Sequence, residues 1–268
     1  MNAAYIVGTF DVAELAFLMF FGFFVALVFY LNRESRREGY PLEDEDTGKI
    51  HPGSLFDGDK KVFQLPHGRG TYVPEDVARD DINIPGVQTF RAAGAPFAPT
   101  GNAMADGMGP AAFANRAKYP DLTFDGKPRI VPIAQSHELV IAPNDPQLIG
   151  YPVVAADGVT VGTVSDIWVD QAEHMVRYLE INTTSGKKVL APMTVAVVHG
   201  NSLLAAILPT TSDEKQFVEI DAITAAQFDG VPALDTAGTI TRYEEDRIQA
   251  YFGGGYMYAT PERSEAWI

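Results

Sequence analysis

The 268-residue chain has no cysteine, which excludes disulfides, thiolate nucleophiles, iron–sulfur clusters and cysteine zinc sites. Positive charge is scarce as well. Twenty Lys and Arg face 35 Asp and Glu, a formal net charge of −15, so the basic footprint that phosphate backbones require is missing and no nucleic-acid partner is expected. The runs G-x-x-x-x-G-K-[ST], H-E-x-x-H and G-x-S-x-G are absent, and with them the common phosphate, zinc and acyl-transfer signatures. The five histidines (His51, His67, His137, His174, His199) never stand four apart, and they read as surface or partner-contact residues rather than a ligand set. No internal repeat is evident, which excludes a solenoid.

Apolar residues make up an ordinary 46% of the chain, but one run concentrates them. Val12 to Leu31 reads VAELAFLMFFGFFVALVFYL, with six Phe, one Tyr and Glu14 as its only charge. Twenty helical residues rise about 30 Å, the thickness of a hydrocarbon core, so residues 12–31 are expected to cross a bilayer. No Lys or Arg precedes Val12, whereas Arg33, Arg36 and Arg37 follow the run at once. The positive-inside rule then puts residues 1–11 outside and the rest of the chain on the cytoplasmic side. Glu14, near the outer end, reads as an interfacial carboxylate. At headgroup depth, Arg33, Arg36 and Arg37 fit either anionic lipid or acidic residues of a partner.

Residues 32–105 are broken by prolines and glycines yet carry recurring aromatics such as Tyr40, Phe63, Tyr72 and Phe97, and read as extended chain laid on another protein's surface. Residues 106–268 have strand signals at Ile130–Ile133, Val159–Val164, Ile167–Val169, Tyr178–Asn182, Lys188–Ala191, Val195–Val198, Leu203–Leu208 and Phe217–Ile220. Their short spacing predicts a small, strongly bent β-sheet or barrel. A closing helix is expected over Tyr243–Phe252, stopped by Gly253-Gly254-Gly255.

The most informative cluster is Asp166-Ile167-Trp168-Val169-Asp170, followed by Glu173 and Arg177. On a strand, Asp166, Trp168 and Asp170 share a face, so two carboxylates flank an indole, and Glu173 falls in the turn. Carboxylates held close together and partly buried raise one another's pKa toward the range in which they pass protons, an effect that Arg177 offsets in part. The same residues also fit a solvated acidic edge that blunts sheet pairing. Two further acidic runs, Glu43–Asp46 and Glu244–Asp246, read as a solvated stretch and as a complement to the N-terminus of the closing helix.

After the apolar helix come RREGYPLE (Arg36–Glu43) and FQLPHGRG (Phe63–Gly70), then PTGN (Pro99–Asn102), GPAAFANR (Gly109–Arg116) and DGKPRIVPI (Asp125–Ile133). VSDIWVD, RYLE (Arg177–Glu180), YEEDR and GGGYMYATPER (Gly253–Arg263) complete the series. In this order the motifs closely resemble the H subunit of the purple-bacterial photosynthetic reaction centre, along nearly the whole chain.

The resemblance implies one N-terminal transmembrane α-helix, an extended surface segment, and a mainly-β cytoplasmic domain of the PRC-barrel type with a short C-terminal helix. It implies a non-catalytic subunit of a light-driven electron-transfer complex in the bacterial inner, intracytoplasmic membrane. That subunit binds no cofactor alone, but caps L and M subunits that carry bacteriochlorophyll, bacteriopheophytin, quinones and non-haem iron. A cytochrome subunit, a light-harvesting antenna ring and membrane lipids are further partners to be expected. By the same similarity, Glu173, with Asp170 and Arg177 beside it, matches an acidic route for protons toward the secondary quinone, and Asp166 joins the cluster. Asp125 stands at the family's proton entry. Where some members carry a histidine pair after that aspartate, this chain reads Gly126-Lys127-Pro128-Arg129, which puts the entry point in doubt. Arg37 and Tyr40, within REGYPLE, match contacts with partner subunits, and Arg33 a lipid or partner contact. An alternative from another class is a free membrane-anchored binding protein that uses the PRC-barrel fold alone.

Overall fold

The computed structural model describes residues 5–7, 10–37, 58–59, 61–73, 84–92, 94–136, 139–200 and 216–264. Tyr40, the acidic run Glu43–Asp46, His51, His137 and the strand expected over Leu203–Leu208 lie outside the described residues. The chain forms two compact units, residues 1–81 and 82–268, a division that falls within the segment expected as 32–105.

In the first unit β1 (Tyr5–Val7) and β2 (Phe10–Asp11) pair antiparallel and lead into α1 (Val12–Ser35). Asp11 caps the helix. Its Oδ1 accepts from the Glu14 amide at 2.8 Å, while Glu14 Oε2 accepts from the Asp11 amide at 3.4 Å. Glu14, expected as an interfacial carboxylate, is therefore half of a capping box. The helix runs past Leu31 because Asn32–Ser35 contains no breaker and Arg33 sits favourably in the last turn. It buries none of its side chains, and its 24 residues rise about 36 Å. A helix this apolar, with Phe17 and Met19 two-thirds exposed, needs a non-aqueous surround, and it suits a single-pass membrane anchor. Just past its end Arg37 ties back the chain, donating Nε to the Asp59 carbonyl at 3.0 Å and Nη1 to Glu34 at 3.1 Å. Farther on, β3 (Phe63–Gln64) and β4 (Thr71–Tyr72) make a small hairpin.

The second unit opens with a hairpin of β5 (Gly86–Gln88) and β6 (Phe97–Pro99). Its core is a seven-stranded sheet built from β7 (Ile130–Pro132), β8 (Pro152–Ala155), β9 (Thr160–Asp170), β10 (Met175–Thr183), β11 (Lys188–Pro192), β12 (Val197–His199) and β13 (Phe217–Ile220). The order is β11-β10-β9-β8-β13-β12, with β7 also on β9. Among the described residues only β8 and β13 run parallel; every other pair in this sheet is antiparallel.

β9 organises this sheet. The two short strands expected at Val159–Val164 and Ile167–Val169 are one 11-residue strand. Ser165 is an extra residue within it, facing no partner on β10, and Arg177 is extra on β10. Such bulges bend a strand while keeping it paired, so the polar Ser165-Asp166 step is a bend rather than a break. Along its other edge β9 changes partner, from β8 at Thr160–Gly162 and Thr163 to β7 at Trp168–Asp170. The strand expected at Val195–Val198 begins later, because Met193–Val195 form a 3-10 turn. β8 had no clear signal, since Pro152 opens it.

Trp168, Tyr178, Phe228, Phe252, Ile167 and Leu179 are the largest fully buried side chains. The closing helix α2 (Arg242–Tyr258) adds Ile248 and Phe252 to this core, and Phe252 meets Phe228 edge to face at 6.1 Å. Thr241 and Glu244 form its capping box, with Glu244 Oε1 also accepting from the Asp235 amide at 2.6 Å, so this acid is structural. Gly253–Gly255, expected as a stop, lie inside α2. A Cβ on Gly254 would sit 2.5 Å from the Ala111 Cβ, and one on Gly255 would overlap the Ala222 carbonyl oxygen. Gly254 and Gly255 remove side chains where the helix presses on its neighbours.

Candidate functional site

At the end of β9 burial does not alternate: Ile167, Trp168, Val169 and Asp170 are all buried. Asp166 pairs across the sheet with Glu180, and Trp168 with Tyr178, and the indole donates to Glu180 Oε2 at 3.2 Å. The Asp170 end is the tighter. Asp170 is 0% exposed, and its Oδ1 accepts the Ala172 and Glu173 amides of the following turn at 2.9 and 3.0 Å. Its Oδ2 accepts Arg129 Nε at 2.8 Å, with Arg177 Nε 3.6 Å away. Arg129 also donates Nη2 to Glu173, which is half exposed, and its Nη1 stands 3.7 Å from Asp121. One guanidinium therefore ties together a surface carboxylate, a buried one and a third on the adjoining hairpin.

This arrangement reverses the electrostatics expected from sequence. Burial alone would raise the Asp170 carboxyl, but the Arg129 bond, the two backbone amides and the Arg129 charge outweigh it and hold Asp170 below the ordinary carboxylate range. Asp170 is a fixed negative charge. Arg177, expected as the offsetting cation, is the more distant of two, and Arg129 was not singled out. Arg129 directly precedes β7, whose Ile130 pairs with Asp170, so only the fold brings it there.

A titratable carboxyl with the opposite shift lies near by. Tyr178 Oη donates to Glu245 Oε2 at 3.3 Å and accepts from Gln249 Nε2 at 2.9 Å. Burial raises the Glu245 carboxyl most, and the Asp121 charge raises it further; the Tyr178 bond and the charges of Arg177 and Arg242 only partly oppose this. Glu245, Asp121, Arg242, Gln249, Asp246 and Arg116 line a polar cleft of about 210 Å³. Tyr178 itself is held neutral by burial, so it keeps its proton to donate. Sequence reading had placed Glu245 only in the acidic run that complements α2. Three adjacent acids in fact have three roles: Glu244 caps, Glu245 faces Tyr178, and Asp246 binds Arg116 at 3.1 Å and the Ala114 amide at 2.6 Å.

Not every expected residue joins this network. Asp125 sits exposed near the tip of a turn closed by the Thr123 and Lys127 backbones, four residues before Arg129. Asp166 lies with Glu180, which accepts from Lys188 at 2.8 Å, Ser165 at 2.9 Å and the Trp168 indole at 3.2 Å. Arg33 is exposed in the last turn of α1, and Arg37 is engaged with Glu34 and Asp59. Among the described residues no group of three or more His, Asp or Glu could hold a metal ion.

Two known protein families match the chain. Residues 4–135 match the photosynthetic reaction centre, H-chain N-terminal region. Residues 144–217, which contain β8 to β12, match the PRC-barrel domain. Together the two matches cover about three quarters of the sequence.

Proposed function

The chain belongs to the photosynthetic reaction-centre H-subunit family, non-catalytic partners of the reaction-centre core subunits, and from that premise we propose that it caps the cytoplasmic face of an L/M core and conducts protons toward the secondary quinone. The observation that carries this reading is the Arg129 junction, which joins the half-exposed Glu173 to the wholly buried Asp170, whose carboxyl is held below the ordinary carboxylate range. A negative charge held in the interior attracts protons inward, while a carboxylate at the surface exchanges them with water. Glu245, pushed up by burial and linked through Asp121 to the same junction, supplies a group that keeps its proton to higher pH than an ordinary glutamate. Glu173 is the entry-side carboxylate, Arg129 and Arg177 position and tune Asp170, and exposed Asp125 serves as an outer acceptor on the hairpin.

The proposed orientation follows from the cations that close α1 and from their absence before it, and leaves residues 1–11 periplasmic with the β-domain cytoplasmic. Residues 32–105 would lie along the core's surface and residues 106–268 over the quinone region. Bacteriochlorophyll, bacteriopheophytin, quinones and non-haem iron would be held by the partner subunits, with Arg33, Arg37 and Tyr40 near lipid or partner, and a cytochrome subunit and antenna ring farther out.

Two-flash spectroscopy on the intact complex tests the reading. Glu173→Gln is expected to slow electron transfer to the quinone after the second flash, which waits on a proton, about tenfold while primary charge separation keeps its rate. Unaltered second-flash kinetics would remove Glu173 from the route, and a chain purified without pigment absorption would remove the core partnership.

A further inference from the structure

A half-open cavity of about 360 Å³ lies on the Asp166 side of Trp168, away from the Arg129 junction. Asp166, Glu180 and Lys188 supply its charges, and Pro132, Leu190 and Leu234 give it apolar walls. Glu180 spends its oxygens on Lys188, Ser165 and the Trp168 indole, which hold it charged despite partial burial. Asp166 accepts only its neighbouring amide, Ile167 N, at 2.7 Å, and forms no ion pair with a described residue. The cavity thus carries two carboxylates against a single ammonium, and that ammonium is already engaged.

We infer that this cavity receives a lysine or arginine side chain from a basic segment of a partner subunit, its alkyl stem against the apolar walls and its charged head on Asp166. Lys188 feels the charge of both carboxylates but bonds only Glu180, which leaves the cavity one negative charge in excess; mixed apolar walls with that excess charge match a long cationic side chain, whose stem is apolar and whose tip is charged. A chain of net charge −15 favours basic segments on whatever it docks to. A metal ion is the poorer match, because it would leave the apolar walls unused and no three ligands converge among the described residues. The inference rests on the chain's place in a multi-subunit complex, and it holds whether or not protons pass through Glu173.

The test uses the intact complex, immobilised through a partner subunit, and measures release of this chain at raised salt. Asp166→Asn is expected to speed release about fivefold, the effect of losing one partly exposed ion pair. Asp166→Glu should stay near the parent. Ala237→Trp, which fills the mouth of the cavity, should release as fast as Asp166→Asn without touching a charge. Backbone amides of residues 233–238 should exchange more slowly in the complex than in the isolated full chain. Unchanged release in both Asp166→Asn and Ala237→Trp would overturn the inference. So would slower amide exchange at 233–238 when arginine amide is added to the intact complex, since the cavity would then be open to a soluble amine. Second-flash kinetics of Glu173→Gln report on the proton route alone, so the two readings fail separately.

Discussion

Arg129 Nε lies 2.8 Å from Asp170 Oδ2, so a residue at the foot of one strand neutralises a carboxylate buried at the end of another, 41 positions along the chain. Breaking a buried pair from one side leaves the other charge uncompensated. Asp170→Ala is therefore expected to destabilise the β-domain by about 3 kcal/mol, and Asp170→Asn by less, because the amide oxygen still accepts from Ala172 and Glu173. Urea titration of the detergent-solubilised chain, followed by Trp fluorescence, measures both.

The same carboxylate sets a pH dependence. Its folded pKa lies below the unfolded value, so its contribution is complete above about pH 4 and fades as acid takes pH down through the folded pKa. The stability gap between parent and Asp170→Asn should be widest near neutral pH and close in acid. A gap that persisted undiminished in acid would show that Asp170 acts through shape rather than charge.

Glu245 carries the opposite sign. Its folded pKa is raised, so the folded state loses stability as pH climbs from the ordinary glutamate range through that value. Glu245→Gln removes this penalty and still accepts from Tyr178. The variant should match the parent in acid and become more stable above that window by about 1 kcal/mol or less. Infrared difference spectra across a pH titration should show a protonated carboxyl band, absent in Glu245→Gln, that survives above the pH where ordinary glutamates ionise.

The glycine run of α2 offers a test in one turn of helix. Alanine is worth about 1 kcal/mol over glycine in a helix, and at Gly253 a new Cβ would meet only the Pro110 carbonyl at 3.4 Å, so Gly253→Ala should be neutral or stabilising. Gly255→Ala forces a methyl into the Ala222 backbone and should cost about 3 kcal/mol despite the same gain in propensity. Thermal unfolding of the two variants separates packing from propensity.

Much of the fold can be read along the chain because it rests on local patterns. The apolar run announces α1, and strands such as Phe217–Ile220 alternate cleanly. Ser165 misleads because a bulge places polar residues inside a continuous strand, where they resemble a turn. Gly253–Gly255 mislead because sequence shows missing side chains but not the neighbours, Ala111 and Ala222, that require them to be missing at Gly254 and Gly255. In the candidate site, Asp170 and Glu173 stand out as paired acids. Arg129 and Glu245 do not, because what makes them matter is proximity across 41 residues in one case and, between Glu245 and Tyr178, 67 in the other. Without Arg129 the cluster reads as mutually raised acids, and with it Asp170 becomes a fixed anion.

Proton uptake, followed with a pH-indicating dye after the second flash in the intact complex, tests the central claim most directly. The double variant Glu173→Gln/Glu245→Gln should take up protons at least about tenfold more slowly than the parent, with primary charge separation unchanged. Uptake at the parental rate would show that protons reach the quinone without these carboxylates and would contradict the account.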